Sequence, residues 1–447
     1  MASDSKQIGE ALAEQLPPLT PNSASVEADR CLFCYDAPCT HACPTHIDIP
    51  RFIKKIATGN LKGSANTIFA SNLLGATCSR VCPVQELCEG ACVLGADRKP
   101  IAIGRLQRYA MDRAFATGNL PAATGAPAGR KIAVVGAGPA GLSCAGELAR
   151  LGHAVTIFER RELAGGLSTY GIIALREPVD VALAEVRMIR AMGVEIRTGV
   201  ELGTSQALGE LQSEFEATVL SVGLGKTPGL GIEGEEAIVD GLEFIEASKT
   251  GKGSLRAGRN VIVIGAGNTA VDCATIAKRL GAERVTMVYR RTDREMTCYA
   301  HEYDFARNEG IAFRFLSQPA RVLLQGGQPV ALECLRVELG ALDRSGRPAP
   351  VSIPGSEFLL EADQIVKAVG QHKPSLAMLL GFETRKGFIA VDDSFETGIG
   401  NVYAIGDCIR AHGAASTVMA VQDGKMVASA IHRRLTKNTL PVSAEAL

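Results

Sequence analysis

The chain has no tryptophan, and aromatic residues make up only 5% of its 447 residues. This scarcity argues against a surface that stacks sugars or single-stranded nucleic acid on aromatic rings. An excess of charge of one sign is also missing, since 47 basic residues balance 48 acidic ones. Neither a nucleic acid nor an anionic membrane is therefore expected as a partner.

Long apolar runs are missing as well. No stretch approaches the roughly 18–20 residues of a membrane span, so no membrane segment is expected. No apolar leader precedes the rest of the chain, and a cytoplasmic, reducing location is expected. With 447 residues and 46% hydrophobic content, the chain is long enough for two or three domains with sizeable cores.

Cysteine, by contrast, is concentrated in one region: eight of the thirteen cysteines lie between residues 31 and 92. They form two runs, Cys31-x2-Cys34-x4-Cys39-x3-Cys43 followed by Pro44, and Cys78-x3-Cys82-x5-Cys88-x3-Cys92. In ferredoxin-type runs, the cysteine before the proline ligates a second cluster. The spacing therefore predicts two [4Fe–4S] clusters, with Cys31, Cys34 and Cys39 on one, Cys43 on the other, and the second run completing both.

Two other uses of these cysteines are disfavoured. Zinc prefers paired Cys-x2–4-Cys knuckles that each close one tetrahedral site, and the crossing pattern fits this poorly. A disulfide framework is disfavoured because there is no apolar leader and a chain of this length needs no covalent staples. Buried thiols without a ligand are the third alternative.

The chain changes character after a linker rich in Gly, Ala and Pro at residues 118–130. From Lys131, and again from Asn260, the pattern is strand, glycine turn, helix, strand, with the near-continuous apolar strands of buried parallel sheets. The predicted fold class is α/β: a helical N-terminal double-cluster domain followed by two doubly wound, Rossmann-like domains, the second inserted in the first. The expected domains are residues 24–118, residues 128–235 with 375–447, and residues 236–374.

The first glycine turn is typical of a dinucleotide site. Its fingerprint contains Gly136, Gly138, Pro139, Ala140 and Gly141. The glycines permit the tight turn, the approach of a pyrophosphate and close packing of helix on strand, and helix amides face the phosphates. Glu159 ends the next strand, about twenty residues on, where a carboxylate accepts from both ribose hydroxyls.

Later residues indicate that this dinucleotide is FAD. Gly166 and Leu167 follow Glu159, and the stretch after them ends at Arg176. Near the C-terminus, Gly406 and Asp407 follow a short apolar strand, where a carboxylate can hold the ribityl hydroxyls of a flavin. A helix beginning near Ser416 and Thr417 would offer its N-terminus to the isoalloxazine.

The second glycine turn predicts a nicotinamide site. It reads Gly265-Ala266-Gly267-Asn268-Thr269-Ala270, with Ala270 in place of the third glycine. The next strand ends at Arg290 and Arg291, where NAD sites have a carboxylate; two guanidinium groups suit a 2′-phosphate. NADPH is therefore favoured, with NADH as the alternative if the arginines are merely solvated.

Neither dinucleotide domain contains a Cys-x2–4-Cys pair that could exchange electrons with the flavin. Cys144, Cys273, Cys298, Cys334 and Cys408 are scattered. The electrons are therefore expected to leave through the clusters.

With these residues assembled, the chain resembles the flavoprotein subunit of bacterial NAD(P)H-dependent dihydropyrimidine dehydrogenase over roughly residues 24–437. It equally resembles the N-terminal half of the single-chain eukaryotic enzyme and, more distantly, the small subunit of bacterial glutamate synthase. The most specific stretches are CLFCYDAPCTHACPTHIDIPRFI, LGATCSRVCPVQELCEGAC, IGRLQRYA, GGLSTYG and TVMAVQDGK.

The resemblance implies particular site residues. One cluster would use Cys31, Cys34, Cys39 and Cys92, and the other Cys43, Cys82, Cys88 and the side chain of Gln107. Cys78 would then be spare, although spacing alone would make it the fourth ligand. The implied flavin residues are Glu159, Leu167, Arg176, Leu202 and the stretch from Asp407 to Ser416. The implied nicotinamide residues are Ala266, Gly267, Asn268, Thr269, Arg290, Arg291, Ala368, Val369 and Gly370, with Arg294 as the nearest candidate for a further phosphate contact.

The resemblance also implies a partner. In this family an FMN barrel with its own clusters reduces the pyrimidine, and no eight-stranded barrel fits in this chain beside the two dinucleotide domains. The chain is therefore expected to be the electron-input subunit of a heterotetramer that reduces uracil or thymine to the 5,6-dihydro forms. An input subunit of glutamate synthase or of another reductase is the alternative within this chemistry, and a non-catalytic zinc scaffold is the alternative outside it.

Overall fold

In a computed structural model of the chain, the structure describes residues 11–122, 125, 129–251, 256–343, 345–410 and 416–437. The chain divides into two compact units. The smaller unit contains Met1–Gln15, Tyr170–Pro178 and Lys226–His372, and the larger contains Leu16–Thr169, Val179–Gly225 and Lys373–Leu447. The ends of the predicted flavin domain at residues 128 and 438–447, and residues 411–415 between Asp407 and Ser416, lie outside the described residues.

The helices are α1 Pro21–Asp29, α2 Pro38–Ala42, α3 Ile49–Ala57, α4 Leu61–Phe69, α5 Gly75–Val81, α6 Ile103–Thr117, α7 Pro139–Arg150, α8 Leu167–Tyr170, α9 Val179–Ala191, α10 Ser205–Glu214, α11 Gly241–Thr250, α12 Asn268–Arg279, α13 Ala300–Asn308, α14 Ser375–Leu379 and α15 Thr417–Lys437. The strands are β1 Lys131–Val135, β2 Ala154–Glu159, β3 Glu195–Thr198, β4 Ala217–Leu220, β5 Val239–Asp240, β6 Asn260–Ile264, β7 Arg284–Val288, β8 Ala312–Arg314, β9 Ser317–Gln325, β10 Gln328–Leu342, β11 Pro348–Ser352, β12 Phe358–Glu361, β13 Gln364–Lys367, β14 Thr384–Arg385, β15 Phe388–Ile389 and β16 Val402–Ala404.

The cysteine region folds into short helices with clear start signals. Proline stands in the first turn of α1, α2 and α3, where its missing N–H costs nothing. The Thr20, Asp48 and Asn60 side chains each accept a backbone N–H at the start of α1, α3 and α4. The intervening loops carry most of the cysteines, as a site with ligands from several directions requires.

The larger unit also contains a five-stranded parallel sheet with the order β16-β4-β1-β2-β3. One hydrophobic core holds Phe52 and Leu73 of the cysteine region together with Ile132 of β1, Ile189 of α9 and Val427 of α15. Each large side chain buried in this way contributes about 1.5–3 kcal/mol. The cysteine region and the first sheet are therefore packed as one body.

The smaller unit has a second five-stranded parallel sheet, ordered β5-β13-β6-β7-β8, and a four-stranded antiparallel sheet built around the long strand β10. The chain returns from this unit to the first sheet through β16, which pairs with β4. The structure confirms the predicted fold class: a helical N-terminal region followed by two doubly wound sheets, the second inserted in the first. None of the described helices combines the length and apolarity that a membrane crossing requires.

Candidate functional site

The first glycine turn joins β1 to α7 and has a backbone that only glycine tolerates. Gly136 has φ +103°, and a Cβ there would lie 2.5 Å from the carbonyl oxygen of Ser221. A Cβ on Gly141 would lie 2.1 Å from the Gly136 oxygen. At Gly138, in contrast, the nearest atom to an added Cβ is 3.9 Å away, so space remains in front of this residue for a ligand phosphate.

Glu159, at the end of β2, faces this turn. Its carboxylate is 7% exposed and accepts the amide N–H groups of Ala137 and Arg161, each at 2.8 Å. These bonds lock the carboxylate beside the glycine turn, at the place where dinucleotide sites bind ribose hydroxyls.

Two further segments close on the turn. A Cβ on Gly166 would lie 2.7 Å from the Cα of Gly138, so the two backbones approach directly. Gly406, at φ +75°, packs against Ala140 of α7, with 3.0 Å between an added Cβ and the Ala140 Cβ. The structure thus gathers Gly136, Gly138, Pro139, Ala140, Gly141, Glu159, Gly166, Gly406 and Asp407 at one end of the first sheet.

Asp407 provides a second carboxyl group at this end of the sheet. Burial raises the pKa of Asp407, while the Arg410 guanidinium opposes the shift. Arg410 itself pairs with Asp423 of α15, which also accepts the Gly406 N–H at 3.1 Å. Asp407 is half-buried, and a polar ligand that hydrogen-bonds to its carboxyl group, as flavin hydroxyls would, offsets the loss of hydration.

The remaining predicted flavin residues are spread more widely. Ser416 and Thr417 are half-buried at the start of α15, and Leu167 is 41% exposed at the start of α8. Leu202 packs partly buried against a core that includes Val135 of β1.

Arg176 differs from the others because it belongs to the smaller unit. Its guanidinium pairs with Asp272 of α12 at 3.1 Å and with Glu302 of α13 at 2.5 Å. Burial raises the pKa of Asp272 to about 6, although Arg176 opposes the shift. The Arg176 guanidinium therefore contacts carboxylates on α12 and α13 of the smaller unit.

The second glycine turn repeats the geometry of the first. Gly265 has φ +139°, and a Cβ there would lie 2.2 Å from the oxygen of Ala368. Ala270 is fully buried in α12, so the methyl group is accommodated where the fingerprint has its third glycine. Since β13 lies beside β6, the segment Ala368, Val369 and Gly370 comes next to the turn that contains Ala266, Gly267, Asn268 and Thr269.

The segment at residues 297–299 also lies at this turn, which the sequence did not predict. The amides of Thr297 and Cys298 both donate to the oxygen of Ala266, at 3.1 and 3.2 Å, and the amide of Tyr299 donates to the Asn268 side chain at 3.2 Å. All three donors are backbone amides, which leave no side-chain pattern in the sequence.

The two arginines after β7 have different environments. Arg290 is exposed, whereas Arg291 is 2% exposed. The Arg291 guanidinium donates to the oxygen of Pro348 at 2.8 Å and to the Asp343 carboxylate at 2.6 Å. The prediction that both arginines read a phosphate therefore differs from the structure at Arg291, which anchors the β10–β11 connection instead.

The first cysteine group is formed by Cys31, Cys34, Cys39 and Cys92, which line one cavity together with apolar residues such as Ile49, Ile53 and Ile103. Burial and, to a smaller extent, the neighbouring thiols of Cys31 and Cys92 raise the pKa of Cys39 to about 11. Thiols crowded in this way hold protons tightly, so they need a cation such as iron to become thiolates.

The second cysteine group contains Cys43, Cys78, Cys82 and Cys88. A hydrogen bond with Cys78, followed by burial, raises the pKa of Cys82 well above its usual range, and Cys88 and Cys43 contribute further. Cys78, which spacing would make a ligand and the resemblance would leave spare, is thus in contact with this group.

Gln107 lies on α6, which packs against α5. Its side chain is 8% exposed, and its amide nitrogen donates to the oxygen of Gly75 at 2.8 Å. Gly75 begins α5, the helix that carries Cys78 and ends beside Cys82. The hydrogen bond uses the nitrogen and leaves the amide oxygen as the atom that a metal would bind.

The alternatives of disulfides and zinc can be compared with this arrangement. All thirteen cysteines lie in the described part of the chain, and all are free. Among the described residues, no three histidine, cysteine or acidic side chains converge as a single-ion site requires. The thiols are instead gathered in two groups, each of which includes members of both cysteine runs.

Two glycine turns suited to dinucleotides, and two groups of thiols packed on the same core as the first of them, define an iron–sulfur flavoprotein oxidoreductase. Comparison with known proteins agrees. Residues 9–119 match the family described as dihydropyrimidine dehydrogenase domain II, 4Fe-4S cluster, and residues 130–424 match the pyridine nucleotide-disulphide oxidoreductase family. The chain belongs to the pyridine nucleotide-disulphide oxidoreductases and carries 4Fe–4S clusters, FAD and a nicotinamide dinucleotide site.

Three relatives illustrate the family. The NAD-dependent dihydropyrimidine dehydrogenase subunit PreT of Salmonella typhimurium is 35% identical over 95% of this chain and 97% of its own length. The glutamate synthase [NADPH] small chain of Escherichia coli is 33% identical over 93% and 92%. The NADP(+)-dependent formate dehydrogenase subunit beta of Moorella thermoacetica is 34% identical over 92% of this chain, but the chain spans only 61% of that protein.

A solved structure shows the same fold. FprA of Mycobacterium tuberculosis in complex with NADPH has a TM-score of 0.57 and 18% identity, covering 72% of this chain and 87% of that one. The resemblance to the dihydropyrimidine dehydrogenase subunit and the glutamate synthase small chain is thus confirmed, and the protein is an NAD(P)H-oxidising flavoprotein of a kind found as one subunit among several.

Proposed function

We propose that this protein is the electron-input subunit of an NADPH-dependent dihydropyrimidine dehydrogenase. It would oxidise NADPH at the second glycine turn and deliver electrons to a partner whose FMN barrel reduces uracil or thymine. The observation that carries the proposal is the common core of the cysteine region and the first sheet, which packs both thiol groups with the flavin turn. The free thiols suit a cytoplasmic location.

The electron balance is simple. Each NADPH gives up a hydride, and the pyrimidine double bond takes up two electrons and two protons, so one proton comes from the solvent. A flavin held at the first glycine turn would supply a two-electron acceptor for the hydride, and clusters held by the cysteines would supply one-electron carriers.

The residues of the chain have defined tasks in this proposal. Cys31, Cys34, Cys39 and Cys92 hold one cluster, and Cys43, Cys82, Cys88 and the oxygen of Gln107 hold the other. Glu159 and Asp407 accept hydrogen bonds from the flavin nucleotide, and the open space at Gly138 takes its pyrophosphate.

The choice of nicotinamide rests on the exposed arginines. Arg290 and Arg294 are both exposed after β7, whereas Arg291 is buried in other contacts. We therefore assign the 2′-phosphate of NADPH to Arg290 and Arg294. The names of the relatives include both NAD-dependent and NADPH enzymes, so this assignment needs its own test.

Replacing Arg290 with alanine is expected to raise the KM for NADPH about tenfold or more and to leave the KM for NADH nearly unchanged. A charge-assisted bond to the phosphate contributes about 1.5–3 kcal/mol, and NADH has no 2′-phosphate. Steady-state reduction of a dye with each nucleotide measures the effect. Arg291→Ala serves as the comparison, because losing its bonds to Pro348 and Asp343 should lower the Tm without favouring one nucleotide; equal losses with both nucleotides in Arg290→Ala would refute the assignment.

An input subunit of glutamate synthase is the second candidate, favoured by 33% identity to the glutamate synthase small chain over 92% of that protein. The two functions differ in the partner that accepts the electrons, which is a barrel protein in one case and a large amidotransferase in the other.

An anaerobic reconstitution decides between them. The purified holoprotein is mixed with NADPH and either an FMN-containing dihydropyrimidine dehydrogenase subunit plus uracil, or a glutamate synthase large subunit plus glutamine and 2-oxoglutarate. We expect NADPH oxidation and dihydrouracil with the first mixture only. Turnover with the second mixture alone would establish the glutamate synthase function, and no turnover with either would refute both.

A further inference from the structure

Glu185 of α9 is a buried charge at the boundary between the first sheet's helices and the cysteine region. It is 1% exposed, and one of its carboxylate oxygens accepts the amides of Ala76 and Thr77 at 2.8 and 3.2 Å. These amides belong to the first turn of α5, where N–H groups lack partners within the helix. The Glu185 carboxylate therefore accepts hydrogen bonds that the helix itself cannot accept. Its negative charge is also favourable at the start of a helix.

The helix that Glu185 holds is part of the second cysteine group. Cys78 lies one turn into α5, and Cys82 follows its last residue, with its amide donating to the Cys78 oxygen at 3.1 Å. Gln107 also bonds to this helix, at Gly75. A shift of the start of α5 would therefore move the second group as a whole.

Lys425 of α15 contacts the backbone beside the second cysteine group as a hydrogen-bond donor, whereas Glu185 is an acceptor. Its ammonium donates to the carbonyl oxygens of Thr45 and Ser71, at 3.2 and 3.3 Å. Thr45 is fully buried, and its hydroxyl lies 3.3 Å from the sulfur of Cys43. Lys425 thus connects the helix that begins at Thr417, next to the proposed flavin site, to the backbone beside Cys43.

The surrounding interface is otherwise apolar and tight. A Cβ on Gly146 of α7 would lie 2.6 Å from Leu73 and 2.7 Å from Ile189. Placing the buried Glu185 carboxylate at such a boundary removes it from water at a cost, so apolar packing alone would hold the two parts together more cheaply. The two charged side chains add directional hydrogen bonds to the backbone near the second cysteine group, from Glu185 at the start of α5 and from Lys425 at Thr45.

We propose that Glu185 and Lys425 are positioning residues that fix the second cluster at a set distance and orientation from the flavin. The inference rests on the proposed electron path, in which the two electrons of a reduced flavin would pass singly to the second cluster and from it to the first cluster or the partner. The rate of electron transfer between two groups falls as the distance between them grows, so a displaced second cluster would take electrons from the flavin more slowly. Neither residue binds the flavin or the iron.

The test uses the intact holoprotein under anaerobic conditions. After rapid mixing with NADPH, the bleaching of the flavin and the later bleaching of the clusters are followed separately in Glu185→Ala and Lys425→Met. We expect the flavin-to-cluster rate to fall about tenfold or more, while the rate of flavin reduction and the contents of iron, sulfide and FAD remain those of the wild type. The magnetic coupling between the reduced second cluster and its neighbours, measured by electron paramagnetic resonance, should weaken in the same variants.

Conservative and remote variants act as controls. Glu185→Gln retains an acceptor and Lys425→Arg retains a cationic donor, so both should recover most of the rate. Glu195→Gln and Lys131→Met change exposed charges of β3 and β1 and should behave as the wild type. If Glu185→Ala does not retain its clusters, Lys425→Met decides the matter by itself.

Three results would overturn the inference. The first is an unchanged flavin-to-cluster rate in Lys425→Met with full cluster content. The second is a shift in the midpoint potential of the second cluster large enough to explain a slower rate, since that would indicate tuning rather than positioning. The third is a wild-type protein whose clusters NADPH does not reduce, which would also remove the proposed electron path.

Discussion

Replacing Cys43 with alanine should abolish uracil reduction by the reconstituted enzyme while leaving NADPH-to-dye reduction at the flavin largely intact. Cys43 is 8% exposed, and its sulfur belongs to the second thiol group. Without it the second cluster loses a ligand, and the path from the flavin to the partner is interrupted. Dihydrouracil formation, dye reduction and iron content are measured on the same anaerobic preparation.

Two further variants sharpen this result. Cys334→Ala changes a cysteine of the antiparallel sheet and should leave the iron content unchanged. Cys78→Ala should be nearly silent if Gln107 is the fourth ligand, and should bleach one cluster if Cys78 is. Uracil reduction that persists in Cys43→Ala with the second cluster lost would mean that the flavin passes electrons to the partner directly.

Asp407→Ala should yield a folded protein that purifies with little FAD. The half-buried carboxyl group of Asp407 follows Gly406, which packs on α7 at the first glycine turn. Hydrogen bonds from flavin hydroxyls to this carboxylate contribute about 1.5–3 kcal/mol each, so losing one or two lowers the affinity for FAD by about tenfold to ten-thousandfold. The ratio of flavin absorbance to protein measures the loss.

The comparison variants separate binding from folding. Asp407→Asn keeps an acceptor and should retain more flavin than Asp407→Ala. Asp363→Ala removes an exposed carboxylate of the smaller unit that accepts the amides of Arg259 and Asn260, and its flavin content should be normal. Full yellow colour in Asp407→Ala would show that this carboxylate does not hold the flavin.

The parts of the fold that the sequence predicted are those dictated by backbone geometry. Gly136 and Gly265 have positive φ angles and stand where a Cβ would collide with a neighbouring carbonyl, so the residue type itself reports the turn. The continuous apolar sequences of β1 and β6, which precede these glycines, likewise predict strands that are buried on both faces. The cysteine spacing indicated two groups, but the placement of Cys92 with the first group required the resemblance.

The parts that could not be predicted depend on tertiary contacts. Arg176 follows the flavin motif in sequence but pairs with Asp272 and Glu302 of the smaller unit. Glu185 and Lys425 look like ordinary surface charges on amphipathic helices, and only the packed structure shows the backbone groups that they hold. The burial of Arg291 likewise depends on Pro348 and Asp343, which are more than fifty residues further along the chain, so the sequence could not separate it from Arg290.

Because the segment 226–372 is inserted in the first sheet, that sheet can be completed only late in synthesis of the chain. β4 is made early, but its neighbour β16 and the helix α15 that covers α7 are the last described elements to leave the ribosome. Until then, the edge of β4 and the apolar face of α7 are open to wrong partners, while the second sheet, β5 to β13, is already complete. We therefore expect a chain cut short before residue 402 to retain its second sheet, yet neither to complete the proposed flavin site nor to protect the segment on which that site is built.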